Sequence, residues 1–358
     1  MYVMAEVISI EVEGKTLSRI YPGERIEDAG SLLRGRRDVY LVYDSCLGMA
    51  ASRLAPFVRA SFPVAASEEG KSMETVLEID RWLLGQGADR KALVLALGGG
   101  IVTDMAGFAA SVYKRGVDFA FIPTTLLAQV DAAIGGKTGV NLDDYKNMIG
   151  VIRQPEFTFI CSELLGTLPL RDLLSGAAEM LKTFIIDNGG DRYEAAVRVI
   201  SGIAAGRSVS VCREELQELV MAAAAVKAGV VSRDAFEHGE RRKLNLGHTF
   251  AHAMEHCARL KGDDLTHGEA VAAGMIMAAG LSERTGTAPA GLTERLRKDF
   301  SACGLKTDCP YGMDELVGAM KLDKKADGEK IHFVLIAGIG DVVTEEMTAE
   351  EALSRLLT

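Results

Sequence analysis

The first half of the chain alternates short, almost wholly apolar runs with stretches whose apolar positions recur every three to four residues. Residues 38–44 (DVYLVYD), 91–97 (KALVLAL), 117–122 and 157–161 read as buried strands. The opening MYVMAEVISIEVEG reads as another strand; it carries Glu6 and lacks the basic lead of a signal peptide. Between these runs, 73–84 and 103–114 have helical periodicity. Strands apolar on both faces, alternating with helices, predict a parallel sheet covered on both sides. After Thr167-Leu168-Pro169 the pattern changes, and 171–187, 191–203, 213–231, 244–260, 267–284 and 292–303 all read as helices. A late strand, 331–336, and a closing helix follow. The expected architecture is an α/β N-terminal domain, 1–166, and a mostly α-helical C-terminal domain, 167–358, with a catalytic cleft between them.

Composition leaves that picture in place and narrows the function. With 358 residues, 48% hydrophobic and 25% charged, the chain has ample core for two soluble domains. A net charge of −10 and the absence of a basic tract argue against nucleic acid as a partner. No apolar run is long enough to cross a membrane, the best being broken by Lys227. Six scattered cysteines without C-x-x-C spacing suggest reduced thiols and a cytoplasmic protein.

Candidate chemistry concentrates in KLNLGHTFAHAMEHCARLKGDDLTHGEA, residues 243–270. Five of the six histidines (His238, His248, His252, His256, His267) lie in it or just before it. On a helix, Arg241, Asn245, His248, His252, Glu255, His256 and Arg259 would share an arc of about 100°. Such a stripe is either a solvated face or a metal-binding one, and imidazoles at i, i+4 can share a cation. Glu179 and Lys182, at i, i+3 in SGAAEMLKTF, are either a surface ion pair or a metal carboxylate with an anion contact. Lys227, a cation in AAAAVKAGVV, either snorkels or enters a polar site.

In the first half, Gly98-Gly99-Gly100 follows a strand and precedes a helix, either as a plain tight turn or where backbone N–H groups can approach a pyrophosphate. Thr103, however, stands where the G-x-G-x-x-G fingerprint has its last glycine. Asp104 in the next turn would repel phosphate but could accept from a ribose or a nicotinamide. Thr124 and Thr125 close the next strand, as helix caps or as a second part of the same edge. The segment 129–150, QVDAAIGGKTGVNLDDYKNMIG, reads as a polar, Gly-rich loop offering Asp131, Lys137, Lys146 and Asn147. The charge run 321–325 (KLDKK) reads as a helix end unless the fold returns it to the cleft.

GGGIVTDMAGFAASVYKRG, IPTTLLAQVDAAIGGKTGVN, YKNMIG, SGAAEMLK, LNLGHTFAHAMEH and HGEAV together resemble the 3-dehydroquinate synthase family of sugar-phosphate cyclases. The likeness runs from the E-x-x-K of Glu68 and Lys71 to the lysines near 324. It implies a Rossmann-like NAD-binding domain followed by a helical metal-binding domain. Glu179, His248 and His267 would hold a divalent metal, zinc or else cobalt, with His252 a substrate contact and not a ligand.

By the same resemblance NAD would be touched by Asp44, Glu68 and Lys71. The glycine turn would add Gly99, Gly100, Ile101, Val102, Thr103 and Asp104. Further contacts would be Thr124, Thr125, Lys137, Lys146, Leu164, Thr167 and Leu168. The substrate would meet Lys137, Asn147, Asn245, His252 and Lys324 or Lys325 at its phosphate. Lys146, Lys227 and Arg241 would lie towards its carboxylate, with Asp131 and Lys182 nearby. The family implies a homodimer, with Arg115 reaching the partner subunit's site. It also implies a lyase of the shikimate pathway that converts a 3-deoxy-heptulosonate 7-phosphate to 3-dehydroquinate and phosphate. NAD would be regenerated in each turnover. The rivals are another sugar-phosphate cyclase, whose substrate lacks the carboxylate, and a metal-dependent polyol dehydrogenase. A nucleotide-binding regulatory protein is the non-enzymatic alternative.

Overall fold

The computed structural model describes residues 6–36, 38–143, 145–187, 189, 191–237, 239–323 and 330–357. The chain runs through β1 (Ile8–Val12), β2 (Lys15–Gly23), α1 (Gly30–Leu33), β3 (Val39–Asp44), α2 (Gly48–Leu54) and β4 (Ala60–Val64). It continues with α3 (Met73–Gly85), β5 (Leu93–Gly98), α4 (Gly100–Val112), β6 (Asp118–Pro123), β7 (Lys137–Leu142), β8 (Tyr145–Ile152) and β9 (Phe157–Cys161). Then come α5 (Leu170–Ile186), α6 (Arg192–Ala204), α7 (Arg213–Arg233), α8 (His248–Lys261), α9 (His267–Arg284), α10 (Leu292–Ala302) and α11 (Met313–Asp323). The hairpin β10 (Ile331–Gly338) and β11 (Asp341–Met347) and a last helix, α12 (Ala349–Leu357), complete it.

In the first half the apolar runs became strands for the reason the pattern suggests. Every residue of β5 is buried, and alternate side chains sort to opposite faces. Val94 and Ala96 join a core with Val102, Met105, Ile79 and Phe121, while Leu93, Leu95 and Leu97 join another with Ile26, Leu54 and Phe159. The seven-stranded sheet has the order β1-β2-β9-β6-β5-β3-β4 and is parallel except for the β1–β2 pair. From β3 the chain steps outward to β4, then returns to β5 on β3's other side. The crevice at the carboxyl ends of β3 and β5 is therefore the topological switch point, where ligands of such sheets bind.

Two compact units divide the chain: Met1–Leu168 with Leu216–Phe236, and Pro169–Glu215 with Glu237–Thr358. The second half is thus not one continuous domain, because most of α7 belongs to the first unit. Its residues are tied there by Gln217 Oε1, which accepts from Ser162 N (2.8 Å), and by Ser232 Oγ, which accepts from Glu11 N (3.0 Å). In the second unit α9 is buried over nearly its whole length and packs against α5, α8, α10 and β10. Its run of alanine and glycine lets these neighbours approach closely. Among the described residues no helix is long and apolar enough to cross a membrane.

Three local expectations differ from the fold. α4 starts at Gly100, ahead of the periodic pattern, because Gly99 is extended and serves as its N-cap. The segment expected as a loop at 129–150 is a π-helical turn, Ala128–Ala132, followed by the β7–β8 hairpin. The helix expected over 244–260 begins only at His248. Before it lie a 3-10 turn, Glu240–Asn245, and Gly247 at φ +77°. A side chain at Gly247 would be strained by that φ and would meet Met275 N at 2.9 Å.

Candidate active site and metal centre

Glu179 sits on α5 in the second unit, completely buried, and neither carboxylate oxygen accepts a well-formed hydrogen bond. Lys182, one turn on and equally buried, meets Oε2 as an ion pair at 2.5 Å. The Nε2 atoms of His248 and His267 lie 3.5 and 3.3 Å from Oε1. One ligand atom from each of Glu179, His248 and His267 falls within 4.8 Å of the others.

The hydrogen-bond chemistry says what such a cluster needs. His248 Nδ1 is 3.1 Å from the Leu246 carbonyl, which can only accept, so Nδ1 carries the proton and Nε2 turns a lone pair towards Glu179. Burial, reinforced by the Lys182 ammonium, pushes the His248 pKa down, so that nitrogen stays unprotonated. A lone pair then faces a carboxylate oxygen with nothing between them to share. Burial alone would raise the Glu179 pKa, but Lys182 and the two imidazoles hold it well below the carboxylate range. One carboxylate and two imidazoles, with His267 a third exposed, fit a divalent cation that keeps an open coordination position.

His267 is oriented from its other side. Its Nδ1 is 3.4 Å from Glu255 Oε1, a carboxylate only 12% exposed. Burial opposes charge on this ring, but the two carboxylates outweigh it and raise its pKa. A carboxylate behind a ligating histidine fixes both ring orientation and tautomer. In the sequence Glu255 is one member of a stripe that is either solvated or metal-binding, and its spacing from His252 and His256 carries no sign of a partner on the next helix.

The start of α9, which carries His267, is locked to α5. Thr266 and Glu269 form a capping box, and Arg171 of α5 donates twice to Glu269, at 3.2 and 2.9 Å. Gly268 N donates to Ser175 Oγ at 3.0 Å, and a Cβ at Gly268 would lie 2.1 Å from Ser175 O. His252 is exposed on α8, its ring 5.5 Å from that of His248, and it is not part of the ligand cluster. Arg241 is buried on the 3-10 turn, and Asn245 is exposed and donates to Glu237 Oε1 at 3.2 Å. The expected single stripe is therefore interrupted at Gly247. Lys324 and Lys325 lie outside the described residues, as does His238.

In the first unit the cofactor candidates gather at the sheet's carboxyl edge. Asp44 ends β3, Gly99 and Gly100 follow β5, Thr124 and Thr125 follow β6, and Leu164, Thr167 and Leu168 follow β9. The first turn of α4 has N–H groups with no carbonyl ahead of them in the helix, which suits a pyrophosphate. Thr103 is buried and its hydroxyl donates to Gly100 O (3.0 Å); Val102 is buried too, and Ile101 half-buried against the core. The Thr103 N–H is already satisfied, donating to Gly99 O at 3.1 Å. Thr125 Oγ1 accepts from Ala128 N (3.2 Å), the capping role open to a threonine pair. Lys71 is buried and donates to Asp104 Oδ2 (2.6 Å) and to Asn147 Oδ1 (2.5 Å). Burial raises the Asp104 pKa to about 6 in spite of Lys71.

Asp131 lies in the π-helical turn, where Lys227 Nζ donates to its Oδ1 at 2.6 Å and its carbonyl at 2.7 Å. Lys227 is thus buried in a polar site and does not snorkel. Lys137, Lys146 and Asn147 are exposed on the β7–β8 hairpin, with Glu68 reaching it through Asn141. Arg115 is not brought to this edge. It follows the far end of α4, roughly 20 Å from the glycine turn at 1.5 Å per residue. There it shares an open depression of about 610 Å³ with Asp89, Arg90, Lys91 and Lys114.

Residues 61–175 match the family model for 3-dehydroquinate synthase N-terminal, and 176–326 that for 3-dehydroquinate synthase C-terminal. The 3-dehydroquinate synthase of Pyrococcus abyssi (strain GE5 / Orsay) is 43% identical over 298 residues, 83% of this chain and 84% of that one. Among solved structures, 2-deoxy-scyllo-inosose synthase complexed with carbaglucose-6-phosphate, NAD+ and Co2+ aligns with a TM-score of 0.85 at 25% identity, over 98% of this chain and 99% of that one. The 2-epi-5-epi-valiolone synthase of Streptomyces hygroscopicus subsp. jinggangensis 5008, with NAD+ and Zn2+ bound, gives 0.81 at 29% identity, over 94% and 95%.

Proposed function

We propose that this chain, which belongs to the 3-dehydroquinate synthase family, converts 3-deoxy-D-arabino-heptulosonate 7-phosphate to 3-dehydroquinate and phosphate. The structural observation that carries the reading is Glu179: a buried carboxylate whose Oε1 accepts no hydrogen bond and faces two imidazole Nε2 atoms, while Oε2 meets Lys182. Glu179, His248 and His267 would hold zinc or cobalt, which lowers the pKa of a substrate hydroxyl. Asp44, Gly99, Gly100, Thr124 and Thr125 at the carboxyl edge of the sheet would hold NAD, which would supply reversible hydride acceptance with no net consumption.

The chain's own groups bind and orient. Lys137, Asn147, Asn245, His252 and Lys324 or Lys325 hold the phosphate, as point charges and amide donors suit an anion. Lys146, Lys227 and Arg241 face the carboxylate and its neighbours. Lys227, fixed on Asp131, keeps its charge at a set place. The departing phosphate can itself carry off the proton from the carbon beside the transient ketone, so no separate protein base is required. The protein is further proposed to be a cytoplasmic homodimer. Its six free cysteines suit a reducing compartment. Arg115, lying far from the glycine turn along its own chain, would serve the partner subunit's site.

The test is phosphate release from the heptulosonate phosphate with NAD and zinc, read beside NADH absorbance. Stoichiometric phosphate with no lasting NADH supports the reading. Accumulating NADH would make the protein a polyol dehydrogenase, and turnover of heptulose 7-phosphate alone would make it another cyclase. Sedimentation should give twice the 38.3 kDa chain mass.

A further inference from the structure

We propose that Asn141 is a positioning residue that holds Asn147 in its working conformation and ties the β7–β8 hairpin to the cofactor edge. The proposal rests on the reading of Lys71 and Glu68 as cofactor contacts and Asn147 as a substrate contact. Asn147 has φ +56°, in the left-handed region that non-glycine residues rarely adopt and that asparagine enters more readily than most.

Three hydrogen bonds close a ring around it. Asn147 N donates to Asn141 Oδ1 at 2.9 Å, Lys71 Nζ donates to Asn147 Oδ1 at 2.5 Å, and Asn141 N donates to the Lys71 carbonyl at 2.9 Å. Asn141 Nδ2 then donates to Glu68 twice, to its carbonyl (3.1 Å) and to Oε2 (3.0 Å). Only a side-chain amide supplies an acceptor for one partner and two donors for another. Aspartate would turn an oxygen on the Glu68 carboxylate, and glutamine would displace the ring by a methylene. Without the acceptor at Asn141, Asn147 relaxes to negative φ and takes its Oδ1 off Lys71. One side chain thus keeps the phosphate-side amide and the cofactor-side ammonium in register.

The experiment measures NAD affinity by calorimetry and substrate KM and kcat by phosphate release, with circular dichroism to confirm folding. Asn141→Ala should raise both the NAD dissociation constant and KM by about tenfold, with one hydrogen bond lost towards Asn147 and two towards Glu68. In an Asn147→Ala background, Asn141→Ala should raise KM no further, because its effect passes through Asn147. Asn141→Asp, which keeps the acceptor for Asn147, should weaken NAD more than substrate and serves if the alanine variant does not fold. Additive effects on KM, or unchanged KM in Asn141→Ala, would overturn the proposal while the site reading stands. If Asn147→Ala and Lys71→Ala change neither KM nor NAD affinity, the site reading fails and takes the proposal with it.

Discussion

At the scale of single residues, the metal centre separates groups that hold a cation from groups that only neighbour it. Glu255→Gln removes the carboxylate behind His267, and loss of such a partner typically costs about 10- to 100-fold in metal affinity. His252→Ala should leave zinc affinity unchanged and slow phosphate elimination. Titration against a chromogenic chelator reads both, and equal loss of zinc in His252→Ala would make that histidine a ligand. Asp80 offers a test of a different kind. Its Oδ1 is buried without a hydrogen-bond partner, and burial raises its pKa to about 6. Below its ordinary value of 3.8 the carboxyl is protonated in folded and unfolded chains alike, and the stability is fully present. As pH rises towards about 6 the unfolded chain loses the proton first, so stability falls and stays lower at neutral pH. Asp80→Asn should therefore gain roughly 1–2 kcal/mol at pH 7 and nothing at pH 3, seen as a melting shift that vanishes in acid. What sequence reading could find at this scale was the residues with unusual chemistry, such as His248, His267 and Lys182. Glu255 and Asn141 escaped because glutamate and asparagine are ordinary on a surface; only the partner across space shows their use.

Among elements, the junction of α5 with α9 decides where His267 points. Gly268→Ala would set a methyl group against the Ser175 backbone, inside any permitted contact. We expect a loss of about 2–4 kcal/mol in stability and a drop in zinc affinity larger than Glu255→Gln produces. Chemical denaturation and chelator titration read the two, and a variant of normal stability with normal zinc affinity would show that the helices can part freely. The elements legible in advance were those buried on both faces or along one helical stripe, such as β5, β9 and α3. The β7–β8 hairpin was not, because most of β8 is exposed and no alternation of apolar and polar positions marks it. Likewise the apparent stripe from Arg241 to Arg259 assumed one helix, and a single left-handed glycine at 247 broke the phase.

For the whole molecule, the candidate metal cluster lies in one unit and the glycine turn in the other, and on the proposed function each unit should respond to its own ligand. Removing the metal should lower hydrogen-exchange protection in α5, α8 and α9, by up to about 4 kcal/mol where the metal stood a thousandfold above its dissociation constant. NAD should raise protection at the carboxyl ends of β3 and β5. Loss of protection confined to the sheet on chelation would contradict the ligand set. The change from strand-and-helix alternation to helices was readable near residue 167, but the return of α7 to the first unit was not. Its Ala-rich stretch looks like any packing helix, and its ties to Asp131, Ser162 and Glu11 join positions far apart in sequence. That return also sets an order of assembly during synthesis. A nascent chain that has only reached Leu168 has the whole sheet but not the helix that completes its unit. At ~5–20 residues per second the ribosome needs several seconds more to deliver α7. Through that interval Glu11 N, Ser162 N and the Asp131 carboxylate lack the α7 side chains that pair with them in the finished unit.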